Sequence, residues 1–119
     1  MTININAVDL GNIDLLVNEG FYSNRTDFIK TAIRNQIKQY DYEINQIVVK
    51  KDYYVGIRRV TRLELEEHFA RKEKVELKAV GILVLDDDIT YDLLERTVTK
   101  FNVAGVIRCS DRLKEKLYG

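Results

Sequence analysis

Polar and apolar positions alternate over the first six residues, and the period then changes. Ile3 and Ile5 fall on one side of an extended segment, with Thr2, Asn4 and Asn6 on the other. A short first helix follows from Asp9, and Gly20 is placed to stop it. Asn24 is a good N-cap for a second helix, with Asp27 three residues on in the capping-box place. Phe28, Ile29, Ala32, Ile33, Ile37 and Tyr40 then recur at three- and four-residue spacing and make one apolar face. Ile33, Ile37, Tyr40, Ile44 and Ile47 form a narrower seam, which predicts a helix running past Tyr40 and breaking by Lys50-Lys51-Asp52.

Beyond that break the pattern alternates between strand and helix. Tyr53 to Val60 is rich in aromatic and β-branched residues and predicts a strand. Thr61, with Glu64 three residues later, predicts a capped helix reaching about Arg71. Val75 to Leu85 begins alternating and becomes continuously apolar, as a strand covered on both faces would. Asp86-Asp87-Asp88 makes a turn, Thr90 caps a helix from Tyr91 to about Lys100, and Val103 to Arg108 is a third strand. Ser110 caps a last short helix. The predicted fold class is α+β: an N-terminal domain over 1–50 and a small β-α-β-α-β-α domain over 51–119. No internal repeat of solenoid period is expected. Gly56, Gly81 and Gly105 each lie inside a predicted strand, which points to a shared packing layer.

A lone N-terminal strand cannot satisfy its own backbone groups, and nothing else in the first forty residues could pair with it. The economical partner is a second copy of the chain, giving an antiparallel ribbon that a DNA major groove can accept. In its TINI strand (Thr2 to Ile5), its DLGNIDLLVNEG helix (Asp9 to Gly20) and its YSNRTDFIKTAIRNQI helix (Tyr22 to Ile37), the chain resembles the ribbon-helix-helix family of regulators, the Arc/MetJ/CopG group. The resemblance covers about the first third and assigns no chemistry to the rest, which looks like the tail of a CopG-type subgroup. It implies a homodimeric DNA-binding transcription regulator.

The residues support the same expectation. Asn can hydrogen-bond an adenine edge with two bonds, and Thr can meet a base edge or a thymine methyl. Thr2, Asn4 and Asn6 are therefore the candidate base-reading residues, against the plainer alternative of a solvated edge strand. Asn6 also has a competing use as a cap for the first helix. Asn24, Arg25 and Thr26, at the start of the second helix, are the candidate phosphate anchors, because free N–H groups and a guanidinium attract phosphate. The alternative there is an ordinary capped surface helix.

Charge makes the DNA reading harder. Nineteen basic residues balance nineteen acidic ones, so counterion release cannot supply strong non-specific affinity. Affinity must come from geometry, base contacts and dimers binding side by side. The length fits one domain or two small ones, and a forty-residue monomer is too small for a sufficient core, which again argues for a dimer. No apolar run reaches the length of a membrane span and no leader pattern is present, so a cytoplasmic protein with no membrane partner is expected.

Candidate chemistry adds little. One cysteine, Cys109, permits no intrachain disulfide, and with one histidine, His68, there is no soft-metal cluster. The aspartate triplet is expected to be a solvated turn that favours the following helix dipole. No nucleophile set, phosphate-cradling loop or metal quartet is present, so no enzyme, cofactor or metal is expected. The expected partners are double-stranded DNA, a second copy of the chain, and an unidentified effector or protein. The alternative function is an antitoxin whose C-terminal part clasps a toxin. Such tails are commonly disordered until bound, whereas 53–119 has the makings of a core.

Overall fold

The computed structural model describes residues 2–118. They divide into two compact units, Met1–Asn45 and Gln46–Gly119.

In the first unit, helix α1 (Ala7–Asn18) ends in a glycine stop. Gly20 takes φ +85°, its N–H donates to Val17 O, and the Phe21 N–H donates to Leu16 O at 2.9 Å. Helix α2 (Arg25–Lys38) follows, and α3 (Asp41–Lys51) runs across the division between the units. The predicted single long helix is thus two. The chain tightens at Gln39–Tyr40, where the Tyr40 N–H reaches back only to Ile37 O, and acidic Asp41 and Glu43 open a new first turn. Residues 2–6, expected as a strand, form no ladder in the chain. A ladder needs a second strand, and none lies in this unit among the described residues.

The second unit is a three-stranded parallel sheet in the order β1-β2-β3, with β1 Tyr54–Val60, β2 Val75–Leu85 and β3 Val98–Arg108. Helices α4 (Arg62–Ala70), α5 (Tyr91–Thr97) and α6 (Asp111–Tyr118) follow one strand each. Thr61 and Thr90 cap α4 and α5, each side chain accepting an N–H three residues on at 3.2 Å. Alternate residues of β2, Leu77, Ala79, Leu83 and Leu85, point into one core with Val60, Leu65, Ile89, Leu94 and Leu113. All three helices therefore lie on the same face of the sheet.

Two expectations need correction. Helix α5 ends at Thr97 and not near Lys100, because β3 begins at Val98. The first half of β2 needs a ladder partner, and the start of β3 supplies one: Val98 pairs with Val75, Lys100 with Glu76 and Phe101 with Leu77, with Thr99 left out at a register shift. The chain also does contain a repeat. Gly56, Gly81 and Gly105 pair in one row across the sheet; from 56 to 81 is 25 residues and from 81 to 105 is 24. Each period is one strand and one helix, the kind of unit that stacks into a solenoid.

Candidate nucleic-acid interface

Among the described residues the first unit buries a single apolar one, Ile13, while Ile3, Val8, Leu15, Phe21 and Ile37 each stay more than half exposed. Exposed apolar surface on this scale marks a candidate interaction surface. The start of α2, by contrast, is highly organised. Asn24 Oδ1 accepts the Asp27 N–H at 2.8 Å, and Asp27 Oδ2 accepts the Ser23 N–H at 3.0 Å. Tyr22 packs edge-on against Phe28 with ring centroids 5.0 Å apart, pinning the entry to the helix.

Arg25 does not point freely into solvent. Its Nε and Nη2 donate to Asp14 Oδ1 and Oδ2, both at 2.8 Å, in a two-toothed pair that ties the start of α2 to α1. These hydrogen bonds and the adjacent charge hold the Asp14 carboxyl below its usual range and raise Arg25 above its own. Thr26 beside it is exposed. Asn24, Arg25 and Thr26 therefore sit together on one helix end, with Asn24 committed to the cap and Arg25 to Asp14. Arg25 could release its carboxylate for a phosphate, or offer its remaining guanidinium N–H groups while keeping it.

The N-terminal candidates separate. Thr2 and Asn4 are exposed and precede any regular element. Asn6 caps α1, its Oδ1 accepting the Asp9 N–H at 2.8 Å, so the competing use named for it is the one it makes in this chain. Asp14, as the residue that holds Arg25, was missed. Its signal in the sequence is only an acidic residue on α1 eleven positions before an arginine, which local periodicity does not connect.

Among the described residues the second unit holds no comparable constellation. Asp86 accepts from Arg59 Nε at 2.7 Å, which makes the aspartate triplet a structural turn at one of its three members. Among the described residues no group of three or more His, Cys, Asp or Glu is placed to hold a metal ion. Burial pushes the Cys109 thiol up, away from nucleophilic use. A cleft of about 570 Å³ opens outside the carboxyl ends of the strands, lined by Asp87, Asp88, Tyr91, Arg112 and Lys116 among others. No helix among the described residues is long and apolar enough to cross a membrane.

The first unit thus carries a glycine-stopped helix and a second helix capped by Asn24, preceded by a segment of alternating polar and apolar residues. The ribbon-helix-helix transcriptional regulator family matches residues 1–114. The chain belongs to that family and is, in those general terms, a DNA-binding transcriptional regulator. No curated protein and no solved structure matches it.

Proposed function

We propose that the protein is a homodimeric, sequence-specific DNA-binding regulator whose paired N-terminal strands enter the major groove. The observation that carries this reading is the incomplete first unit: one buried apolar residue, an unpaired N-terminal segment and a broad exposed apolar surface. A second copy would complete the core and the ribbon together. Thr2 and Asn4 then face the bases, with Asn6 able to join them only by giving up its cap. Asn24, Arg25 and Thr26 meet the flanking phosphates, which set register and carry no sequence information. Residues 51–119 form the domain that joins dimers or receives an effector. The antitoxin reading has less support, since the C-terminal unit packs its own core around Leu65, Leu83 and Leu94.

Selection of bound sites from random DNA tests the reading. Asn4→Ala should flatten discrimination at one base position, by on the order of 1–3 kcal/mol for a two-bond contact. Arg25→Ala should weaken binding to all sequences and lower the salt slope by about one. An unchanged selected site for Asn4→Ala would remove the strand as the reading element.

A further inference from the structure

The glycine row has one member whose conformation the chain does not account for. Gly56, Gly81 and Gly105 take φ +120°, +129° and +130°, a region open to glycine and strained for other residues. At Gly81 and Gly105 the neighbouring strand also demands glycine. A Cβ on Gly81 would stand 2.3 Å from Gly56 O, and one on Gly105 would stand 2.0 Å from Gly81 O. At Gly56 the same position is open space, with nothing within 4 Å. The β1 edge thus has the shape of an interior strand, with a gap where a glycine carbonyl would lie. At the opposite edge Gly105 continues the row and, by the same repeat, directs its carbonyl off the sheet.

A second observation falls at the same edge. Val55 and Ile57 are 61% and 65% exposed, whereas their row partners Val80 and Ile82 on β2 are half-buried; Leu63 at the start of α4 is 64% exposed. The β3 edge likewise exposes Val106. Repeat arrays usually end in atypical units with a polar outer face, and an open strand edge invites another strand. Neither end of this sheet carries such a unit among the described residues.

We propose that the C-terminal units of successive chains stack head to tail, β3 of one copy pairing in parallel with β1 of the next and Gly105 lying opposite Gly56. The join repeats the two pairings already present in each chain, both of them parallel and both glycine against glycine. A two-fold pairing of β1 with β1 would instead set one empty gap against another. Arg58 is held by Glu64 and Arg59 by Asp86, so neither is a free cation opposing Arg108 across the join. The contact is heterologous, so it passes from copy to copy beyond a dimer. A single strand edge falls short of the roughly 1,000 Å² of a free-standing complex, so stacking shows at high concentration or between copies already aligned. On DNA, and resting on the function proposed above, it would link neighbouring dimers and raise the effective concentration of each next one.

Disulfide trapping on the full-length chain in a Cys109→Ser background tests this. Val55→Cys and Ala104→Cys lie in one row but on strands two apart, about 9–10 Å at the usual strand spacing. That exceeds the roughly 7 Å reach of a disulfide, so a bond between them forms only between copies. The double variant should give a ladder of dimers, trimers and larger species on mild oxidation, and each single variant should stay monomeric on a denaturing gel. Adding Gly56→Ala should reduce the ladder several-fold while a cooperative melt persists, because its methyl group fills the gap. Cross-linking by either single variant as strong as by the double, no ladder from the double at high micromolar concentration, or a ladder untouched by Gly56→Ala would each overturn the proposal. DNA binding without a ladder rejects the stacking alone, and a ladder without DNA binding rejects the regulator reading alone.

Discussion

Replacing Gly81 by alanine sets a methyl carbon 2.3 Å from the carbonyl oxygen of Gly56, where ordinary contacts begin at 3.4 Å. The obstacle is backbone in a paired strand, so relief requires β1 and β2 to separate by about an ångström in the middle of their ladder. Two costs add. Holding a non-glycine residue at φ +129° costs about 1–3 kcal/mol. Forcing packed backbone apart costs about 1–3 kcal/mol more, the usual scale of overpacking. The sum, about 2–6 kcal/mol, is a large share of the roughly 5–15 kcal/mol that holds a domain together. Gly56→Ala is the internal control, since it meets open space and carries only the first cost. Thermal melts and urea titrations of full-length variants, followed by circular dichroism at one low protein concentration, compare the two. For a unit of this size each kcal/mol moves the midpoint by about 4–8 °C. Gly81→Ala should therefore melt several degrees below Gly56→Ala. Equal midpoints, or a Gly81→Ala chain melting with wild type, would refute the claim that the glycine row is imposed by the neighbouring strand.

Two further outcomes follow from the first unit. Its folding should be coupled to association, so its melting transition should rise with protein concentration by mass action; a transition independent of concentration over two decades would contradict a shared core. The Asp14–Arg25 pair should show in acid. Because the folded-state Asp14 pKa is depressed, its contribution is present above the ordinary carboxylate range and lost as pH falls through the lowered value. Wild type should thus lose more stability between pH 7 and pH 2 than Asp14→Asn. Identical losses would mean that the exposed pair contributes nothing.

Some of this protein was legible residue by residue. The caps at Asn24, Thr61 and Thr90, the stop at Gly20 and the strand Val75 to Leu85 rest on local chemistry, a side-chain oxygen or an apolar run, and the structure shows each. The helix pair with a preceding alternating segment was enough to point to the family. Other features depend on partners far along the chain. Val98 to Lys100 looks helical by its neighbours and becomes strand because β2 offers a ladder partner more than twenty residues away. Asp14 became part of the candidate site only when folding brought it to Arg25. Asn6 had two uses open to it, and only the structure shows that its side chain makes the cap of α1. The repeat escaped the sequence because its units share little beyond one glycine and a few apolar positions. The sheet makes it visible, since parallel pairing sets those glycines side by side and backbone contact across the row admits no Cβ at Gly81 or Gly105.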